Sequence, residues 1–508
     1  MDREKQFEAI ECEGDFDVVI LGGGVNGACL YDRLCRDGYR TLLVDRGDFA
    51  SGTSQSSGMM VWGGLLYLRN FDLSTVFQLS RDRDRMVREM PDRLSPQSMR
   101  YLPSTHGGRS RALVQAGLWF YWMLAMGRRH APCAQDAFDE LDLLRPGLVD
   151  GSLTYEEAVL DGSDARFVFR WIAPHTAPGQ VAINYARVSG SHARADGRWH
   201  LDLEDARSGK SVPVTTAMVV NCTGVWTDAV NESFGISTPF RHAFSKGVYL
   251  SLPRSEQHRS SLFFELEEHR DVISFVPWGP VSLWGPTETA INDLSEGMAA
   301  TAGDVDYLLA HYRRRFREPV TSGDVVSIRC GVRPLVVERD FDRTCYPLDL
   351  SRRQEVVVDR ERPWISCYGG KLTGCVRMAH RTASMVARSV APSQVKPCPD
   401  DDWERGMETA RFPGLETPIP SAAWCTRREL CCTLTDYLRR RTNVGPWIPR
   451  MGLGRQDEHA PALREFALQI ARGDTAQAEK LFEEHRQQVV RELDPLLGRD
   501  VSIERRTA

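Results

Sequence analysis

The residues with the types and spacing to do chemistry begin at Gly22-x-Gly24-x-x-Gly27. The β-branched, apolar run Asp17 to Leu21 feeds straight into the glycines, and a helix is predicted to follow as far as about Asp37, where Gly38 closes it. Gly22 permits a tight turn, Gly24 lets backbone approach a pyrophosphate, and Gly27 lets the helix pack closely on the strand. A second strand over Thr41–Val44 ends at Asp45, whose carboxylate is in register to accept hydrogen bonds from a ribose diol. Phosphates would sit over the helix N-terminus, where amide N–H groups and the helix dipole favour an anion. The unit predicts a dinucleotide site that includes Val25, Asn26 and Arg46 beside the glycines and Asp45.

The continuation Asp48-Phe49-Ala50-Ser51-Gly52-Thr53-Ser54 resembles the segment after the second strand in flavoproteins of the D-amino-acid-oxidase superfamily, most closely the FAD-dependent glycerol-3-phosphate dehydrogenases. That resemblance covers nearly the whole chain. It extends through Asp161 to Val168, the Asn184-Tyr185 pair within Val181 to Val188, which reads as a strand of the FAD domain, Ala217 to Trp226, Gly331-Val332-Arg333-Pro334-Leu335 and ISCYGGKLT at Ile365 to Thr373. It implies FAD as cofactor, with Ser51, Thr53, Ser54, Thr223, Gly224, Gly370, Lys371, Leu372 and Thr373 joining Gly22, Gly24, Gly27 and Asp45 around it. An oxidoreductase activity follows from the same resemblance, with quinone or oxygen as electron acceptor left open.

A flavin dehydrogenase needs a C–H bond held at the flavin, a group to take a proton, and charges to orient the substrate. In the resembled family arginines, a lysine and a tyrosine hold an anionic substrate and a histidine is the favoured base. By position the matching residues are Arg333, Arg352 in Ser351-Arg352-Arg353, Lys371 and Tyr67. The chain departs from the pattern elsewhere. The family's His-Gly-Gly-Leu-Arg-Tyr is Trp62-Gly63-Gly64-Leu65-Leu66-Tyr67, and its Lys-Gly-Ser-His is Lys246-Gly247-Val248-Tyr249. A histidine titrates near 6.5 and a tyrosine near 10, so the family's mechanism does not transfer intact.

Three readings are open at this point. Tyr249, acidified by Arg333, Arg352 and Lys371, serves as base for a secondary alcohol of a polyol, sugar or cyclitol, phosphorylated or not; the substrate is an amine, as in the wider oxidase superfamily; or the chain binds FAD without turnover. The loss of cations together with the gain of Trp62, Leu66 and Val248 argues for a substrate bulkier or less charged than glycerol 3-phosphate. If Tyr249 is only a pocket wall, the base is sought at Lys371 or a bound water. His242 reads as a satisfied core or surface group, and no metal-ligand spacing is present.

With 508 residues, 42% of them hydrophobic and 26% charged, and a net charge of −5, the chain has length for two or three domains and no basic tract for nucleic acid. Thirteen scattered cysteines without paired spacing, and a charged N-terminus without an apolar core, read as a reduced, cytoplasmic protein. The run Ala112 to Met126 would make a helix of about 22 Å, short of the ~30 Å hydrocarbon layer. It reads first as a buried helix and second as an interfacial one that places the protein peripherally on the inner membrane. A homodimer is compatible with the chain.

The expected fold is α/β: a Rossmann-like FAD-binding domain, an antiparallel-sheet substrate domain and a helical C-terminal domain. FAD-binding segments are expected at about 15–80, 150–235 and 325–395, substrate-domain segments at about 81–149 and 236–324, and the helical domain at 396–508.

Overall fold

The computed structural model describes residues 2–105, 108–193, 197–266, 271–341, 350, 353–397 and 399–498. Arg352 lies outside them.

An eight-stranded sheet has a parallel core in the order Trp364–Gly369, Ser211–Asn221, Asp15–Leu21, Thr41–Val44, Gln180–Ile183. These strands are covered on both faces, which is why Asp15–Leu21 and Thr41–Val44 read as nearly continuous apolar runs. The register brings Leu21 level with Val44 and Asn221, and Asn221 level with Ser366. Gly22, Asp45, Thr223 and the Gly369-Gly370-Lys371 turn therefore follow at one edge of the sheet, the carboxyl ends of its parallel strands, where doubly wound sheets bind their ligands.

The helix Val25–Arg36 packs its face of Gly27, Ala28, Leu30, Tyr31 and Leu34 into the core and ends at Asp37 and Gly38 (φ 86°). A Cβ on Gly27 would lie 1.9 Å from the Gly22 carbonyl oxygen, so close packing of helix on strand requires glycine there.

A ten-stranded, mainly antiparallel sheet forms the second layer. Its long strand Phe240–Pro253 pairs along its length with Ser327–Glu338, setting Tyr249 opposite Arg329 and Ser245 opposite Arg333. Side chains alternate along a strand, so Ser245, Gly247 and Tyr249 share one face while Lys246 and Val248 turn to the other. Lys246 is buried there in an ion pair with Asp304 at 2.6 Å. Phe264, Phe275, Trp284, Tyr312 and Phe316 form an aromatic core behind the sheet.

The C-terminal segment contributes helices Ala422–Arg428, Ala460–Ile470 and Thr475–Glu492 and a π-helical turn, Asp436–Arg441. That turn is bonded to the loop after the second strand. Asp48 accepts from Arg440 Nε at 2.6 Å and from both terminal nitrogens of Arg441 at 2.8 Å, and Asn184 Nδ2 adds a bond at 2.8 Å. Burial alone would raise the Asp48 carboxyl, but Arg441 and Arg440 overcome it and hold it down at about 2.

Two expectations need correction. Val181 to Val188 is two strands, Gln180–Ile183 and Ala186–Ala193, because the chain turns at Tyr185 (φ 52°). The turn is held by Asn184 on Asp48 and by the Tyr185 hydroxyl on Asp436 at 2.5 Å. The run Ala112 to Met126 is a helix, Arg111–Leu124, that buries only Val114, Leu118 and Tyr121; Leu113, Trp119, Phe120 and Met123 face outward. Among the described residues no helix is long and apolar enough to cross a membrane.

Candidate active site

A cavity of about 930 Å³ runs along the carboxyl edge of the parallel sheet and reaches across to the antiparallel sheet. Its nucleotide end is built by the glycine turn. Gly22 has φ 98°, and a Cβ on it would lie 2.7 Å from the Cys222 carbonyl oxygen. Gly24 caps the helix Val25–Arg36 without any side-chain bond, leaving the helix N-terminus directed at the cavity, while Ser54 Oγ accepts from the Val25 amide at 3.0 Å. Asp45 accepts from the amides of Gly23 at 2.7 Å and Gly47 at 2.9 Å, and burial outweighs both bonds to push its carboxyl up to about 6. A carboxylate so placed favours donors such as ribose hydroxyls. Arg46 lies over the Trp226 ring at 4.2 Å, and both line the cavity.

The loop Ser51–Ser54 and the turn Gly369–Thr373 form the middle. Thr53 Oγ1 donates to the Val332 carbonyl at 2.6 Å, fixing that loop beside Arg333. Asn26 Nδ2 donates to the Gly369 carbonyl at 3.2 Å, whereas Asn26 Oδ1, buried in the wall, has no hydrogen-bond partner in the protein. Gly369 (φ 67°) and Gly370 (φ 117°) carry the chain into Lys371; a Cβ on Gly370 would meet Asn26 Nδ2 at 2.8 Å. Lys371 Nζ is in close contact with the Tyr67 hydroxyl and stands 4.1 Å from the Tyr67 ring and 5.6 Å from the Trp62 ring. With no carboxylate offsetting its burial, the ammonium is pulled down to about 7 from an ordinary 10.5.

The far end is walled by Tyr249, Phe263, Ser274, Glu288, Arg333 and Leu66. Tyr249 packs against Gly58, where a Cβ would lie 2.5 Å from its hydroxyl. Arg333 Nη1 pairs with Glu288 at 3.0 Å. The expected acidification of Tyr249 does not occur. Burial raises its phenol above the ordinary value, and Arg333 and Arg329 lower it by less. Lys371 is not among the charges acting on it.

A model of the DAO family, described as FAD dependent oxidoreductase, matches residues 17–363. The chain belongs to this family of FAD-dependent oxidoreductases. Glycerol-3-phosphate dehydrogenase 2 of Mycobacterium bovis is 31% identical over 390 residues, 75% of this chain and 64% of the relative. This oxidoreductase thus spans about 64% of the length of the mycobacterial relatives it matches. D-erythritol 1-phosphate dehydrogenase of Brucella abortus is 28% identical over 444 residues, 85% of this chain and 82% of the relative. In fold, the oxidoreductase is similar to the FAD complex of glycerol-3-phosphate dehydrogenase from Bacillus halodurans, with TM-score 0.71, 20% identity and coverage of 97% and 99% of the two chains.

FAD is the cofactor, and the donor set fits it: a glycine turn with no room for side chains, a helix N-terminus for phosphates, an acidic residue for a ribose, and an unpartnered amide oxygen beside the lysine turn. Of the expected cofactor residues, Gly22, Gly24, Val25, Asn26, Asp45, Arg46, Ser51, Thr53, Ser54, Thr223, Gly224, Gly370, Lys371, Leu372 and Thr373 all line the cavity. Gly27 does not, and acts only through packing. Of the expected catalytic residues, Tyr67, Tyr249, Arg333 and Lys371 line it, and Arg352 falls outside the described residues. Sequence reading missed Glu288, Arg353, Met60 and Phe263: Met60 and Phe263 lie on strands of the antiparallel sheet, and Glu288 and Arg353 immediately precede the strands Thr289–Ile291 and Gln354–Val358. Among the described residues no group of three His, Cys, Asp or Glu could hold a metal ion.

Proposed function

We propose that this oxidoreductase converts a secondary alcohol of a phosphorylated polyol to a ketone, with Lys371 as the proton acceptor. The observation that carries the reading is Lys371 itself: a half-buried amine pulled down to about 7, in the same cavity as the dinucleotide turn and in contact with the Tyr67 hydroxyl. The names of the mycobacterial and Brucella relatives support a polyol phosphate as the substrate class.

Bound FAD supplies acceptance of the hydride that leaves the carbinol carbon. Lys371, neutral at Nζ above about pH 7, takes the hydroxyl proton as the C–O bond becomes a carbonyl. Tyr67 fixes the direction of the lysine by its contact with Nζ. Arg333 orients the substrate from the antiparallel sheet, and Tyr249, with its phenol raised by burial, shapes the wall. Leu66, Trp62 and Phe263 exclude water around the reacting carbon. The segments predicted as FAD-binding, substrate-binding and helical C-terminal domains remain our proposed division of labour.

The same reading takes in the surface. Phe71 (85% exposed), Phe77, Leu113 (60%), Trp119, Phe120 and Met123 (58%) are exposed apolar side chains of neighbouring segments, and we propose that they seat the protein peripherally on a lipid surface.

The test of the activity is anaerobic mixing of the FAD-loaded protein with polyol phosphates, free polyols and amines while the flavin absorbance is followed. Bleaching by a polyol phosphate is expected. Bleaching by an amine and by no alcohol would overturn the reading.

A further inference from the structure

The peptide unit between Trp62 and Gly63 is gripped on both sides by side chains. Its carbonyl accepts from Thr373 Oγ1 at 3.0 Å, two residues beyond Lys371, and its N–H donates to Glu157 Oε2 at 3.0 Å. Glu157 is buried and accepts two further bonds, from Arg83 Nη1 at 2.7 Å and from the Tyr121 hydroxyl at 2.5 Å. Arg83 Nη1 also reaches the Tyr121 hydroxyl at 2.9 Å, which closes the network. Strand pairing builds the grip: Met60 and Val61 run antiparallel to Val159 and Ala158, so the next step of the chain brings Trp62 and Gly63 to Glu157. Gly63 has no Cβ to displace the network, and one would lie 2.1 Å from the Tyr121 hydroxyl.

The loop that starts at this peptide closes over Lys371. Tyr67 touches Nζ, and the Trp62 and Tyr67 rings, with centroids 6.5 Å apart, stand 5.6 and 4.1 Å from it. The loop thus meets the lysine turn at two points, Trp62 on Thr373 and Tyr67 on Lys371. Between them Gly64 (φ 90°) bends the chain and adds no stiffness of its own. Stiffness comes from beneath. A backbone N–H on a carboxylate is a charge-assisted bond, about twice as strong as a neutral one, and the other two donors hold the carboxylate still. Glu157 is not among the charges acting on Lys371, so its influence on the amine runs through the loop and not through its field.

We propose that Glu157 is a positioning residue for the reaction: through the Trp62–Gly63 peptide it keeps the Trp62–Tyr67 loop shut over Lys371 and water away from Nζ. This rests on the reading of Lys371 as proton acceptor given above. Among the described residues, the charged and titratable groups around Lys371 are Tyr67 in the loop, Glu288 and Arg333 in the main cavity, and Asp72, Arg353, Glu355, Arg377 and Arg381 across a second cavity of about 290 Å³ that Lys371 also lines. Around Glu157 stand Arg83, Tyr121 and Tyr155, with Asp84 and Arg129 behind Arg83. Loss of solvent is what moves the amine. A loosened loop lets water back to the ammonium, which then keeps its proton to higher pH. The base is intact but charged at neutral pH, and raising the pH restores it. Loss of a merely structural support would slow flavin reduction at every pH.

The experiment is the pH dependence of anaerobic flavin reduction by D-erythritol 1-phosphate in the FAD-loaded wild type, Glu157→Gln and Tyr121→Phe. Glutamine keeps the size and one acceptor oxygen but removes the charge, and Arg83 retains Asp84 at 2.9 Å. Tyr121→Phe keeps the charge and removes one of the three donors to Glu157. The wild-type limb lies at about 7. In Glu157→Gln it should move up by about one unit or more, which lowers the rate at neutral pH about tenfold, and beyond the shifted limb the rate should return to within about twofold of the parental plateau. In Tyr121→Phe the limb should move the same way by a smaller step. The substrate's own ionisation is common to all three proteins, and only molecules that hold flavin report, so a partly folded preparation still gives the limb. A limb that stays at about 7 in Glu157→Gln, or a loss there that high pH does not restore, overturns the positioning role alone. Where Glu157→Gln retains no FAD, the Tyr121→Phe limb decides, and an unmoved limb overturns the role. A wild type that bleaches without a limb near 7 overturns the Lys371 reading together with it, and failure to bleach a flavin that dithionite reduces overturns the alcohol reading as well.

Discussion

Lys371 and Tyr67 are joined head to ring: the lysine Nζ touches the phenolic hydroxyl while standing 4.1 Å from the ring centroid. The two residues come from segments far apart in the chain. The contact holds a half-buried amine that has no carboxylate partner among the described residues, and loss of solvent around it pulls the ammonium down to about 7.

Lys371→Met removes the amine and keeps the stem that fills the wall. Flavin reduction by the best polyol phosphate should slow by roughly 10²–10⁴-fold, the usual worth of general-base assistance. FAD content, read by absorbance of the purified variant, should stay at the parental level.

Tyr249→Phe should behave differently. Since burial raises this phenol, it is protonated throughout the working range and cannot act as a base. The variant should reduce its flavin at close to the parental rate, well short of the roughly 10²–10⁴-fold loss that removal of a base brings. A loss of that size in stopped-flow traces would return the role to Tyr249.

Asp48→Asn should loosen the cofactor loop from a distance. It removes the carboxylate that the buried Arg440 and Arg441 share, leaving Arg440 on Asp436 at 2.5 Å and Arg441 with Glu429 at 3.7 Å; removing one partner of a buried ion pair costs up to about 3–5 kcal/mol. The measurements are the denaturation midpoint and the FAD retained after gel filtration, and both should fall. Because the Asp48 carboxyl is held down at about 2, its contribution is present above the ordinary value of 3.8 and is lost as pH falls through about 2. In Asp48→Asn that portion of acid unfolding should disappear.

Exchanging Leu113 and Met123 for glutamate should abolish co-sedimentation with anionic lipid vesicles and leave flavin reduction by a soluble substrate untouched, since both side chains are exposed and neither lines the cavity. Equal vesicle binding by the variant and the parent would remove the peripheral membrane proposal.

The nucleotide end was legible in the sequence because its causes are local. Gly22, Gly24 and Gly27 are demanded by backbone approach within a few residues, and Asp45 follows from the length of one strand and one helix. The substrate end is assembled by pairing between distant strands. Glu288 has no spacing relation to Arg333; the antiparallel pairings that set Ser245 against Arg333 and Lys246 against Thr289 bring the three together. The Tyr249 phenol was expected to be acidified because cations were counted without burial, and burial proved the larger effect. The turn at Tyr185 was hidden for a similar reason: its anchors, Asp48 and Asp436, lie far along the chain. The apolar run at Ala112 to Met126 pointed to a helix, but apolar residues all round it left a buried helix and an interfacial one both open, and the exposed Leu113, Trp119, Phe120 and Met123 go against the buried reading.

The most direct test of the central claim is the pH dependence of anaerobic flavin reduction by a polyol phosphate, in the wild type and in Lys371→Met. A lowered lysine accepts a proton only in its neutral form, whose fraction grows with pH. The wild-type second-order constant should therefore rise about tenfold per unit below pH 7 and level off above it, with an apparent pKa of about 7. In Lys371→Met the limb should vanish, leaving a slow, flat profile. A wild-type profile without a limb near 7, or the same limb in both proteins, would contradict the assignment of Lys371 as the proton acceptor.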